Sequence, residues 1–290
     1  MARAITTLAR RHGLGTIVDL AAGRGSFTAA MAQAAPELSF VGVDIVDRPS
    51  DLPESIDWLV SPGGSALPAE LLALTSTLIV AHEWLDVVPT TVAQRDTIMN
   101  NSGTTGNHDV NNKDVWREVL VSPSTGEQGL GGKIQGSELE WLQTWVDPDT
   151  EVAEVGLSRD RAFADLMSRV DDGLVLAVDY GHLRQQRPSA GTLTGYRSGR
   201  AVAPVPDGSM DLTAHVAIDS LVPAGADVQT YRQHEMLRDL LGPPATPSRD
   251  LAHTRPSAYL AALAEHTADR VLREPGGLGG FWWVLARCTS

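Results

Sequence analysis

The amino-acid sequence predicts an α/β protein built on an open, mostly parallel, doubly wound sheet. Three observations lead there. Short apolar runs alternate with stretches of helical length, a glycine-rich turn joins the first such run to the first alanine-rich helix, and a carboxylate closes the second run. With 290 residues, 42% hydrophobic and 20% charged, the chain can bury a real core and is no solvated, disordered tail.

The first eighteen residues carry no acidic group and include Arg3, Arg10 and Arg11. That composition is shared with transit peptides, but Ala4, Ile5 and Leu8 form one helical face and the stretch reads as a helix leading into a strand. From Gly15 follow the strand Thr16 to Leu20, the turn Ala21 to Ser26, the helix Phe27 to Ala35 and the strand Ser39 to Asp44, a β-α-β unit. Further strands are expected at Ile56 to Val60, Thr77 to Ala81, Leu174 to Tyr180, Val228 to Tyr231 and Phe281 to Arg287, the last one antiparallel. Helices are expected at Pro68 to Leu74, Ser158 to Val170, Glu235 to Leu241 and Pro256 to Arg273. Two stretches break the alternation. Residues 90–150 hold β-like pieces at Thr91 to Met99 and Val115 to Val121 around the polar segment Asn100 to Asn112, and are expected to form an inserted β-hairpin subdomain. Residues 181–225, rich in Gly, Pro and Arg, are expected to form a lid-like segment within a single 1–290 domain.

Charge and composition exclude several classes. With 23 basic and 36 acidic residues the net charge is −13, and no basic run exceeds Arg10-Arg11, so nucleic acid is not the expected partner. The apolar runs fall far short of the roughly 20 residues of a membrane span, so no membrane partner is expected. Cys288 is the only cysteine, which leaves no disulfide framework or cysteine zinc site and suits a reducing, cytoplasmic setting. Lys113 and Lys133 are the only lysines, and neither has a tyrosine four positions earlier, which removes the short-chain dehydrogenases.

The chemistry concentrates at two places. In Asp19-Leu-Ala-Ala-Gly-Arg-Gly25, the glycines allow close backbone approach of a ligand at a helix start, and Asp44, nineteen residues beyond Gly25, can accept hydrogen bonds from two ribose hydroxyls. Two cofactor classes use such a unit. A dinucleotide would call for Gly or Ala at position 28, which is Thr28. S-adenosylmethionine has no pyrophosphate, and an acidic residue before the loop, here Asp19, can serve its amino group. A plain tight turn with Asp44 as a surface charge is the alternative. The second place is Leu78-Ile-Val-Ala-His-Glu-Trp-Leu-Asp-Val-Val-Pro89, a strand ending in polar groups. His82 and Glu83 begin like a His-Glu-x-x-His zinc motif, but Asp86 occupies the second His position, so no metal is expected. Glu83 and Asp86 could also serve only to cap the following helix.

Taken in order, these segments resemble the MidA family of S-adenosylmethionine-dependent methyltransferases, relatives of a mitochondrial complex I assembly factor that methylates protein arginine. The glycine loop Asp19 to Ser26 comes first. His82 to Pro89 is similar to the family's Asn-Glu-aromatic-x-Asp-x-x-Pro, with His82 in place of the Asn. Val178-Asp-Tyr-Gly-His182, then Gly191-Thr-Leu-Thr-Gly-Tyr-Arg197, then Asp211-Leu-Thr-Ala-His-Val216 complete the series. The family carries a long segment before its glycine loop, whereas eighteen residues precede Asp19 here.

The resemblance implies a Rossmann-like class I methyltransferase sheet, S-adenosyl-L-methionine as cofactor and an arginine side chain of a protein as acceptor. Asp19, Ala21, Gly23, Gly25, Asp44 and His82 would bind the cofactor, and Glu83 and Asp86 would face the acceptor, with Asp179 as a further candidate. Asp179, Tyr180 and His182 could equally anchor the lid, and His215 could position substrate or be structural. The alternative function is a cofactor-binding or catalytically silent assembly protein of the same fold.

Overall fold

The computed structural model describes residues 1–96 and 115–289. The chain forms two compact units, one of Met1–Leu85, Phe163–Tyr180 and Pro223–Ser290, the other of Asp86–Ala162 and Gly181–Val222.

The first unit is a seven-stranded sheet of β1 (Thr16–Leu20), β2 (Ser39–Asp44), β3 (Ile56–Val60), β4 (Leu74–His82), β5 (Val170–Asp179), β6 (Val228–Arg232) and β7 (Trp282–Thr289). Their spatial order is β6-β7-β5-β4-β1-β2-β3. β1 to β5 run parallel, and β7 lies antiparallel between β5 and β6, as expected for the last strand. The order reverses direction at β1, and ligands of such sheets bind at the carboxyl ends beside that switch. Leu78 to Ala81 on β4 and Leu174 to Val178 on β5 are almost wholly buried, which is why they read as unbroken apolar runs rather than alternating ones.

Helix α1 (Ala2–Arg11) buries Ala4, Ile5, Leu8 and Ala9 in the same core as Met31 of α2 (Ser26–Ala34) and Met236, Leu237 and Leu240 of α3 (Gln233–Leu241). Arg10 on the outer face pairs with Glu37 at 2.6 Å. A further helix, α4, spans Pro256–Leu272, and the helix expected from Ser158 covers Leu157–Ser168. Residues Pro68 to Leu74, expected as a helix, instead form turns. Leu71 N–H donates to Pro68 O, Ala73 sits at φ 53° and Leu74 opens β4. The left-handed backbone at Ala73 cannot continue a right-handed helix, and sheet pairing takes Leu74.

The second unit carries a four-stranded antiparallel sheet, ordered Gln128–Lys133, Val115–Val121, Val92–Asp96, Val152–Glu154. Trp141 and Leu142 of the helix Gly136–Trp145 pack into its core with Ala93, Trp116, Ile134 and Ala153. The strands Val92–Asp96 and Val115–Val121 pair antiparallel; the segment Asn100 to Asn112, expected as the hairpin tip, lies outside the described residues. From residue 181 on, the chain adds the pair Gly181–His182 with Val216–Ala217 and a three-stranded sheet of Arg200–Val202, Thr194–Arg197 and Asp211–Thr213. Among the described residues, no helix is long and apolar enough to cross a membrane.

Candidate cofactor and acceptor site

In the first unit, the loop after β1 passes through three left-handed positions. Ala21, Gly23 and Gly25 all have positive φ, at 60°, 59° and 73°, and Gly25 is the N-cap of α2. A side chain at Gly25 would lie 2.6 Å from Leu52 Cδ1, whereas one at Gly23 would meet nothing within 4 Å. Gly25 is thus favoured by its backbone conformation and crowded by Leu52 and the Trp58 ring, and Gly23 leaves the loop open on the side from which a ligand's atoms can approach its backbone. Beneath the loop, the Trp58 ring of β3 occupies the volume a side chain at Gly42 of β2 would need, and its Nε1 donates to Val46 O at 3.0 Å.

Asp44 ends β2 and fastens the loop. Its Oδ2 accepts from Gly23 N–H at 2.7 Å and its Oδ1 from Val46 N–H at 3.3 Å. Each carboxylate oxygen can accept a further bond, so these contacts orient Asp44 and leave capacity for a pair of hydroxyls. Asp19 is only 2% exposed; its Oδ2 accepts from the Thr28 hydroxyl at 2.6 Å. Burial pushes its carboxyl up to about 6, the Thr28 bond pulls the other way, and the neighbouring Asp44 charge adds to the rise.

On the neighbouring strand, the His82 ring lies 5.7 Å from that of Phe27 and its Nδ1 is 3.5 Å from Glu83 Oε1. Glu83 holds φ 52°, while its N–H donates to Val178 O at 2.9 Å. A left-handed glutamate is strained, and such strain is concentrated at functional positions. Asp179, 2% exposed, accepts from Leu85 N–H and Tyr180 N–H, both at 3.1 Å, tying the segment after β4 to the end of β5. Tyr180 lies 5.5 Å from Phe281.

In the second unit, Asp86 is 5% exposed, and its Oδ2 accepts from Thr213 Oγ1 at 2.6 Å. Arg159 donates to Asp86 O at 2.7 Å and to His215 O at 2.8 Å, and His215 N–H donates to Thr192 Oγ1 at 3.0 Å. Glu154 Oε1 accepts from the N–H groups of Thr192 and Leu193 at 2.6 and 2.8 Å. His182 is buried, 6.2 Å from the His215 ring, and burial, with Arg187 the next largest influence, drives it down to about 3.

Of the eight residues expected to form the site, Asp19, Ala21, Gly23, Gly25, Asp44, His82 and Glu83 belong to the first unit, all at or beside carboxyl ends of its strands; Asp86 opens the second. Thr28, Thr213, Arg159 and Glu154 were not among them. Thr28 is noticeable in the sequence only as a departure from the dinucleotide pattern, and the others bond partners 38 to 127 positions away, which no local pattern announces.

The sheet order, the glycine loop at its switch point and the carboxylate after β2 define an α/β nucleoside-cofactor fold of the methyltransferase type. A COG1565 superfamily member from Burkholderia thailandensis, crystallised with S-adenosyl-homocysteine, is similar to the chain with a TM-score of 0.72 and 19% identity, over 99% of this chain and 76% of that one. A native structure of a protein of that superfamily from the same organism gives 0.70 and 20%, over 99% and 78%. These likenesses are of fold. No curated protein matches. Residues 2–236 match the family described as "Putative S-adenosyl-L-methionine-dependent methyltransferase", and the chain belongs to that family. S-adenosylmethionine is its cofactor, and the open backbone at Gly23 with the oriented Asp44 carboxylate fits such a nucleoside.

Proposed function

We propose that the chain transfers a methyl group from S-adenosylmethionine to an arginine side chain of a protein, as its resemblance to the MidA family implies, in a cytoplasmic setting. When bound, the cofactor supplies a methyl group already activated on a sulfonium. The observation that carries the reading is the loop geometry: Gly23 N–H fixes Asp44 at 2.7 Å, so that its carboxylate meets the ribose hydroxyls without reorganising. Ala21, Gly23 and Gly25 shape the backbone cradle, Asp19 serves the amino group and His82 lies against the cofactor.

An arginine acceptor remains protonated at neutral pH and presents a planar fork of donors that suits carboxylates. Glu83, held in its left-handed conformation, orients that fork and takes the proton released as the new N–C bond forms and the S–C bond breaks. Asp86, three residues on, is held by Thr213 within the second unit. The excess of acidic residues, net −13, suits a basic protein segment as acceptor.

The test is calorimetric titration of S-adenosylhomocysteine, followed by transfer of labelled methyl to lysate proteins and analysis of the modified residues. Micromolar binding, loss of at least about tenfold in affinity in Asp44→Ala, corresponding to roughly 1.4 kcal/mol, and label recovered in methylarginine are expected. Unchanged binding in Asp44→Ala rejects the ribose assignment, and label confined to other residues rejects the arginine acceptor.

A further inference from the structure

We propose that Thr28 is a positioning residue that fits this β-α-β unit to a nucleoside bearing an amino acid, by aiming the Asp19 carboxylate at the cofactor's amino group. The inference rests on the assignment of Asp19 made under the proposed function. Thr28 is fully buried in the first turn of α2, nine positions from Asp19, and its hydroxyl donates to Asp19 Oδ2 at 2.6 Å. In a dinucleotide-binding unit the corresponding position is Gly or Ala, so that the helix can pack closely on the strand. Here the position carries a buried hydroxyl, and the space between helix and strand holds the hydroxyl–carboxylate pair.

The pair also governs charge. A carboxylate buried at 2% exposure tends to take up a proton. Two groups bear on this one besides its burial. Asp44, at the end of β2, repels a second negative charge, and Thr28, on α2, stabilises that charge by donating to it. The register partners on the two flanking strands, Gly42 and Val80, carry none. Thr28 is therefore the group that keeps Asp19 ionised near neutral pH and able to attract an ammonium.

The experiment titrates S-adenosylhomocysteine and, separately, 5′-methylthioadenosine, which has the nucleoside but no amino acid, into wild type, Thr28→Val and Thr28→Ser between pH 5 and 8.5. For wild type, affinity for S-adenosylhomocysteine should fall as pH drops through about 6. Thr28→Val, nearly the same shape, should weaken that ligand about tenfold at pH 7 and move the inflection to higher pH, and Thr28→Ser should restore both. Affinity for 5′-methylthioadenosine should be equal in all three. An unmoved inflection in Thr28→Val, or equal losses for both ligands, overturns the role of Thr28 while leaving the functional reading intact. Absence of S-adenosylhomocysteine binding to wild type overturns both together.

Discussion

The Thr213 hydroxyl donates to the Asp86 carboxylate at 2.6 Å, joining residues 127 positions apart. With Arg159 bridging the carbonyls of Asp86 and His215, this bond makes one hydrogen-bonded set of Asp86 and the Asp-Leu-Thr-Ala-His segment within the second unit. Removing the Thr213 hydroxyl takes one donor from a buried carboxylate, and the loss of such a bond costs about 1–3 kcal/mol. Thr213→Val should lower unfolding stability by that amount in urea titrations. Asp86→Asn, which keeps an acceptor oxygen, should cost less. Equal losses in the two variants would contradict the assigned bond.

The two loop glycines should separate binding from folding. Gly23→Ala introduces a methyl at φ 59° into open space, so it should lose only about 1 kcal/mol of stability yet weaken S-adenosylhomocysteine strongly. Gly25→Ala also presses on Leu52 and should lose more stability than Gly23→Ala. Denaturation curves and calorimetry on both variants measure this, and identical behaviour would refute the distinction.

Glu83 at φ 52° gives the opposite pattern. Left-handed backbone costs a non-glycine residue roughly 1 kcal/mol, so Glu83→Gly should be as stable as wild type or more so, while methyl transfer falls about a hundredfold, the usual scale for a lost proton acceptor. Glu83→Gln keeps the strain and should lose the activity alone. A Glu83→Gly variant with full activity would remove Glu83 from the reaction.

Stability should respond to acid in two opposing ways. Asp19 is raised to about 6 in the fold from an ordinary value of 3.8, so the folded chain holds its proton over a range where the unfolded chain has released it. Its contribution therefore declines as pH rises from about 4 to 6. His182 is lowered to about 3 from 6.5, so the unfolded chain binds the extra proton, and its contribution grows as pH rises through about 3 to 6.5. Replacing His182 by Phe should reduce the stability lost between pH 6.5 and 4 by an amount on the order of a few kcal/mol. Urea unfolding at several pH values measures it; an unchanged acid limb would show that His182 does not bear that load.

Much of the first unit is legible because its signals are local. Ile56–Val60 reads as a strand from its own composition, and the glycine turn followed by Asp44 can be recognised by spacing alone. The strand β7 is visible as an apolar run behind a glycine cluster, while its antiparallel direction is set by its pairing with β5 and β6. The second unit is less legible. The helix Gly136–Trp145 starts behind Gln135 without a side-chain cap, and the burial of Trp141 and Leu142 depends on a sheet assembled from distant strands. Glu154 shows the same difficulty. It reads as an isolated acid until Thr192 and Leu193 donate to it, and these contacts gather into one compact unit two stretches that look separate along the chain.

Trp58 gives the molecule an optical reporter. Its indole packs against the glycine of β2 and bonds Val46, two residues past Asp44, and a side chain at Gly25 would stand 3.3 Å from the ring. It is also partly accessible, as is Trp145, whereas Trp84, Trp116, Trp141, Trp282 and Trp283 are buried. Loading of the nucleoside pocket should alter its emission, so quenching that disappears in Trp58→Phe would follow occupancy in real time, without label and without knowledge of the acceptor.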